Sequence, residues 1–168
     1  IGQPERVIQL DTLIDHASYI AVETGPYAAI EPAAGTDDRV YTAFLSQPHE
    51  HMTCMRKENL PERLHYGHNP RVAAIICLAE AGWTIISGTP QYPVTGGTHG
   101  WDNAVPEMNA LFLADGPAFR HGVTLPTFDN VSVYPLLARL TGVTPLANDG
   151  DAGVAATAFA PVTAPAHR

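Results

Sequence analysis

The longest uninterrupted apolar run in this chain, Val72 to Ala79, is eight residues long, and that ceiling limits every element the chain can build. A helix crossing a bilayer takes about 20 apolar residues, so this run predicts no membrane span. Runs this short belong to strands and amphipathic helices, and 15 prolines and 14 glycines punctuate the chain between them. Hydrophobic residues nevertheless make up 45% and charged residues only 15%, a balance that packs a core instead of leaving the chain disordered. The opening residues Ile1-Gly2-Gln3-Pro4-Glu5 carry neither the basic region nor the apolar stretch of a signal peptide.

The order of apolar runs and breakers predicts mixed α and β structure. Val7 to Leu10 and Tyr19 to Glu23 read as short strands, and Gly25-Pro26 separates the second from Tyr27 to Ile30, predicting an antiparallel pair. Thr36 is placed to cap a helix with Asp37 and Asp38 in its first turn, and Val40, Tyr41, Phe44 and Leu45 recur at helical spacing. Gln47-Pro48 ends that helix, and Met52 to Met55 reads as a returning strand. Residues 1–70 are thus expected to form a small α+β cap-like subdomain, irregular from Lys57 to Pro70.

Arg71 to Glu80 and Trp83 to Ser87 read as a hairpin joined by Ala81-Gly82, and Pro90 to Gly97 as a loop. Ala110-Leu111-Phe112-Leu113-Ala114 predicts a strand buried on two faces. A helix is expected from about Ser132, with Val133, Leu136, Leu137 and Leu140 inward, Pro135 tolerated in the first turn and Gly142 as a left-handed cap. Residues 71–151 are assigned to an α/β core and the Ala/Pro-rich 152–168 to a poorly packed tail.

Charge and cysteine usage exclude some functions. The net charge is -8 and Lys and Arg do not cluster, so binding to a nucleic-acid polymer through its phosphates is not expected. A small phosphorylated ligand held through a metal remains compatible. Cys54 and Cys77, the only cysteines, form no CxxC motif and are expected as two buried free thiols.

One segment stands out chemically: Gly97-Thr98-His99-Gly100-Trp101-Asp102-Asn103. It sets a single imidazole among small residues, where a tight loop projects it, and neutral imidazole is a common zinc donor. Other arrangements are weaker. Asp15-His16 reads as a solvated turn, and His49, His51, His65 and His68 match no structural zinc spacing. His121 reads as surface, Tyr66 and Trp83 as packing, and Ser132, with no paired His and Asp, as a helix cap.

Taken together, Gly97 to Asn103, Met108, Ala110-Leu111-Phe112, Gly116-Pro117-Ala118-Phe119 and Asn130 to Leu136 resemble the C-terminal part of nucleotide pyrophosphatase/phosphodiesterases, the type I phosphodiesterases of the alkaline phosphatase superfamily. His51-Met52-Thr53, Arg56-Lys57-Glu58, Pro61-Glu62-Arg63 and His65-Tyr66-Gly67 extend the resemblance upstream. It implies an α/β fold: the C-terminal part of an alkaline-phosphatase-like sandwich plus a small α+β cap. It also implies two zinc ions, a threonine nucleophile and release of a nucleoside monophosphate from a phosphodiester or pyrophosphate. His99 matches a late zinc ligand; Asp102 and Asn103 match supports of the turn.

No segment matches the family's nucleophile or its other ligands. The resemblance therefore implies a chain that is inactive alone, supplies at most one ligand, supplies no catalytic residue, and has the missing N-terminal half as its partner. A nucleotide or other phosphodiester small molecule is the implied ligand, without nucleic-acid polymer or membrane, in a periplasmic or secreted setting. Around Leu111-Phe112-Leu113 an apolar patch is expected, with self-association through it. The alternative is a non-catalytic binding or association module.

Overall fold

The computed structural model describes residues 6–90 and 93–160. The chain divides into two compact units, Ile1–Ala110 and Leu111–Arg168.

Among the described residues the first unit holds six strands and one α-helix: β1 (Val7–Gln9), β2 (Tyr19–Glu23), β3 (Tyr27–Pro32), α1 (Asp37–Leu45), β4 (Met52–Arg56), β5 (Ile75–Ala79) and β6 (Thr84–Ile86). Four of the strands form a sheet in the order β2-β3-β5-β4, antiparallel throughout. The longest apolar run lies at its interior as β5, and alternation explains why that run has no polar face. Ile75, Cys77 and Ala79 join the cluster containing Val40 and Phe44 of α1, whereas Ile76 packs on the opposite face with Ala29, Leu60 and Ala73. On α1, Val40 and Phe44 are buried, and the Arg56 guanidinium lies 3.8 Å from the centre of the Tyr41 ring. Thr36 begins α1 but does not cap it through its side chain; its hydroxyl donates instead to the carbonyls of Ser18 and Ala33 at 2.6 and 2.7 Å.

The expected hairpin between residues 71–80 and 83–87 does not form. The chain turns at Glu80–Trp83, but β6 leaves the four-stranded sheet and pairs in parallel with β1, Val7 opposite Thr84. Gly25 fixes this path by exchanging two backbone hydrogen bonds with Ile85, at 2.7 and 2.9 Å. Adjacent apolar runs specify strands, but their partners are a choice between non-local pairings. The sheet also crosses residue 70, the expected edge of the cap-like subdomain, because β5 pairs with both β3 and β4.

Cys54 and Cys77 are not free thiols. They stand directly opposite one another on β4 and β5 and form a disulfide, since facing positions of an antiparallel pair bring the two side chains within bonding reach. Sequence spacing carries no information about that register.

The second unit holds α2 (Val133–Thr141) and α3 (Ala152–Ala158). Leu136, Val154, Ala155, Ala158 and Phe159 form its core, with Phe112, Phe119 and Phe128 against it. Part of the expected tail is therefore ordered helix: the Asp151 carboxylate caps α3 by accepting from the Gly153 amide at 2.7 Å. Its remainder, residues 161–168, lies outside the described residues. In α2, Gly142 takes the left-handed conformation (φ 71°) that closes the helix. Leu136 points inward, but Leu137 and Leu140 are exposed, and Pro135 and Ala138 take the inner positions. The strand expected at Ala110–Ala114 is absent among the described residues: that stretch is irregular, and Leu111 and Leu113 are each 82% exposed.

The disulfide generates a test. It spans a sequence separation of 23 residues, and closing a loop of that length contributes about 3 kcal/mol through the unfolded chain. Replacing both cysteines by alanine should lower Tm by roughly 6–12 °C for a chain of this size, measured by calorimetry. An unchanged Tm would show that the cross-link adds nothing to stability.

Candidate functional site

Residues 93–100 follow an irregular path, exposed from Thr95 to Gly100, before the chain turns inward at Trp101. Trp101 is the first anchor. Its ring is buried in the main core, and its indole N–H donates to the Trp83 carbonyl at 2.8 Å. The Gly100 amide lies 3.4 Å from the Met108 thioether, and Gly100 adopts φ 113°, a conformation that side chains rarely tolerate. After the tryptophan, Asp102 folds the chain back by accepting from the Ala104 amide at 2.9 Å.

Asp102 is also gripped from far away in sequence. Arg63 donates through Nη1 to Asp102 Oδ1 at 2.7 Å and through Nη2 to Oδ2, and Nη1 also reaches Asn103 Oδ1 at 3.1 Å. This is the two-pronged geometry that makes arginine–carboxylate pairs directional. The hydrogen bonds from Arg63 lead in holding the Asp102 carboxyl below its ordinary value, against the opposing effect of burial. Asp102 and Asn103 thus bind Arg63 and turn the chain. His99 itself is exposed, and its ring makes no hydrogen bond among the described residues. The result is an imidazole facing solvent on a turn held at Gly100, Trp101 and Asp102.

The other histidines do not converge. His49 Nε2 lies 3.1 Å from the Phe44 carbonyl at the end of α1, where a ring N–H satisfies a helix-end acceptor. His51 Nδ1 meets Glu80 at 2.8 Å, and its ring stacks on Trp83 with centroids 3.7 Å apart. Among the described residues no group of three or more His, Cys, Asp or Glu could hold a metal ion. Ser132 Oγ accepts from the Asp151 amide at 3.1 Å, linking the starts of α2 and α3; it does not cap α2.

A second polar cluster escaped the sequence analysis. Asp11, just beyond β1, accepts from the buried Tyr19 hydroxyl, from the Gly88 amide at 2.8 Å and from His16 Nδ1 at 3.0 Å. Ser87 Oγ lies 2.8 Å from the Tyr19 oxygen and 3.2 Å from His16 Nδ1. Serine, histidine and aspartate meet here without forming a catalytic triad. Both Ser87 and Asp11 address the same ring nitrogen, whereas proton relay requires the two opposite nitrogens. The cluster joins the ends of β1 and β6 to β2. His16 and Tyr19 lie 5 and 8 residues from Asp11, but what completes each contact is distant in sequence: Gly88 is 77 residues from Asp11, and Arg63 is 39 from Asp102.

Comparison with known proteins places the fold among mixed α/β proteins of alkaline-phosphatase-like architecture. Human ectonucleotide pyrophosphatase/phosphodiesterase 5 is 36% identical, with a TM-score of 0.84 over 93% of this chain and 41% of its own. An inactive murine form in complex with AMP is 37% identical, with a TM-score of 0.86 over 94% of this chain and 42% of its own. Residues 2–102 match the model of the type I phosphodiesterase / nucleotide pyrophosphatase family, and the chain belongs to that family. Among curated relatives, human ectonucleotide pyrophosphatase/phosphodiesterase family member 5 is 39% identical over 87% of this chain and 30% of its own length. Human bis(5'-adenosyl)-triphosphatase ENPP4 is 37% identical over 89% and 32%. The chain therefore spans about a third of the length of these relatives.

Asp11 generates the prediction here. Burial alone would raise its carboxyl, but the hydrogen bonds from Tyr19, His16 and Gly88 bring it below the ordinary 3.8. A carboxyl depressed in the folded state stabilises above its unfolded value, and that contribution is lost as pH falls through the folded one. Asp11→Asn should cost about 1–3 kcal/mol at neutral pH. The gap to the parent chain should shrink in denaturant titrations as pH drops from about 5 to about 2. A gap that stays constant over this range would contradict the assignment.

Proposed function

We propose that this chain is part of a zinc-dependent phosphodiesterase or nucleotide pyrophosphatase in which His99 is one nitrogen ligand and Asp102 and Asn103 support its turn. The observation carrying this reading is the exposed imidazole, left without a hydrogen-bond partner among the described residues while its neighbours are firmly held. His49 and His51 have such partners, whereas His65, His68 and His121 are exposed like His99, so it is the held, glycine-flanked turn that distinguishes His99.

The donor set fits one position of a zinc site and no more. A single imidazole does not retain the ion, since zinc centres take three or four protein ligands. Under this reading the remaining donors and the threonine nucleophile come from polypeptide outside this sequence, and the 168 residues alone are inactive. When bound, two zinc ions would neutralise charge on the phosphoryl oxygens and lower the pKa of a bound water. The part played by this chain is to place the turn that carries the imidazole and, through the antiparallel sheet and α1, to form the cap-like part.

Nucleotide phosphodiesters and phosphoanhydrides are the proposed substrates. One relative is named a bis(5'-adenosyl)-triphosphatase and another binds AMP. The Cys54–Cys77 disulfide supports an oxidising, periplasmic or extracellular setting; among the described residues no helix is long and apolar enough to cross a membrane. A second reading, an association module, is favoured by Leu111 and Leu113, whose exposed side chains in the second unit suit self-association or contact with the rest of a longer polypeptide.

The test combines this chain with the upstream half and follows zinc-dependent hydrolysis of bis-p-nitrophenyl phosphate. His99→Ala should reduce turnover by about 100-fold or more, because removing a ligand forfeits several kcal/mol of metal-borne charge stabilisation. The chain by itself should hold far less than one equivalent of zinc by atomic absorption. Full activity in the His99→Ala complex would refute the ligand assignment.

A further inference from the structure

We propose that Arg63 is a positioning residue for the His99 turn: the segment carrying it is fastened to the sheet, and its guanidinium transmits that rigidity to Asp102, three residues beyond the imidazole. The inference rests on the reading of His99 as a zinc ligand but uses observations independent of it.

Arg63 belongs to a short 3-10 turn, Glu62–Leu64, that is held on both sides. Before it, Leu60 is buried in a cluster with Ala29 and Ile76 of the sheet and with Ala73, and Leu64 packs on the same cluster. After it, Gly67 closes against the backbone so tightly that a Cβ there would lie 2.3 Å from the Lys57 carbonyl oxygen. The Lys57 ammonium donates to the Val72 carbonyl at 2.9 Å, fastening the far end of the segment. The disulfide ties together the strands on which this segment begins and ends, β4 and β5.

A platform fixed in this way can restrain what it touches, and the touch is directional. Two guanidinium nitrogens meet the two oxygens of one carboxylate, and one of them also meets Asn103. Trp101 fixes the depth of the turn through the Trp83 carbonyl, and Arg63 fixes its rotation about that anchor. Without Arg63 the turn would keep the indole and its own local hydrogen bonds but lose its one tie to residues 62–64, and the backbone carrying His99 would sample a wider range of positions. Partners that orient a metal ligand commonly change metal affinity by about 10–100-fold when removed.

The test has two arms. In the 168-residue chain, amide hydrogen exchange is followed in the parent and in Arg63→Ala for Ala104 and Val105, whose amides donate to Asp102, and for β5. Exchange at Ala104 and Val105 should accelerate by about 10-fold or more while β5 is unchanged; equal rates at the two amides, or acceleration throughout, would overturn the proposal. In the complete enzyme, zinc is titrated back into metal-stripped protein while bis-p-nitrophenyl phosphate turnover and Co(II) absorption are recorded. Arg63→Ala should raise the zinc concentration for half-maximal activity about 10–100-fold, with turnover at saturating zinc much less affected. Arg63→Lys, which keeps the charge and loses the fork, should restore only part of the difference. Asp102→Ala combined with Arg63→Ala should be no worse than either alone.

His99→Ala separates the two readings. If it abolishes zinc dependence while Arg63→Ala titrates like the parent, the positioning proposal fails and the ligand assignment survives. If His99→Ala titrates normally, the ligand assignment fails, and the exchange arm alone decides whether Arg63 holds the turn.

Discussion

The Asp11 carboxylate is the polar tie between two β assemblies that also share one apolar core, in which Leu10 and Ile85 pack with Ile30, Phe44 and Ile75. Strands β1 and β6 form a two-stranded sheet of their own, apart from the four-stranded sheet. A two-stranded pair is marginal alone, so its attachment needs interactions beyond its own ladder. Gly25 supplies one through its bridge to Ile85. Asp11 supplies another by gathering the Tyr19 hydroxyl of β2, the Gly88 amide after β6 and the His16 ring onto one carboxylate. Tyr19 is buried against Phe44 with ring centroids 5.9 Å apart, so the same side chain serves the apolar core and the polar hub.

The segment that leaves β6 for His99 starts at this hub. Gly88 is held by Asp11 and by the Gln9 amide, and Trp101 is held by Trp83, one residue before β6. Both ends of the intervening excursion are therefore referred to the same short parallel pair. An exposed loop attached only at its ends would be mobile. Arg63 adds a tether from the segment between β4 and β5, which packs on the four-stranded sheet through Leu60 and Leu64.

The sequence showed its local order well and its long-range pairings poorly. Apolar runs broken by Gly and Pro placed β2, β3, α1 and β4, and Gly142 correctly marked the end of α2. Periodicity failed where tertiary context chose among equivalent partners. Trp83 to Ser87 reads equally as the second arm of a hairpin or as the partner of β1, and the latter wins through contacts with Gly25 and Asp11. The thiols of Cys54 and Cys77 look isolated until strand register brings them face to face. At Leu111 and Leu113 an apolar run proved exposed, because hydrophobicity signals a preference for burial and does not supply the covering surface. In the site, the glycine-flanked imidazole was visible from residue types alone. Arg63 was not: its neighbours in sequence give no sign of a contact 39 residues away.

This division of labour has a physical logic. A metal ligand's affinity depends on how much freedom it surrenders on binding, and a donor already fixed in place gives up little. Here two ties reach the turn from elsewhere in the first unit: the Arg63 guanidinium grips Asp102 and Asn103, and the Trp101 indole donates to the Trp83 carbonyl. Such restraint gains nothing for an imidazole that merely meets solvent. It gains most where the ring must coincide with donors carried on other segments, because coordination tolerances are a few tenths of an ångström. On the proposed reading of His99, the held neighbours place the turn, and the exposed ring takes its final direction from donors carried on other segments.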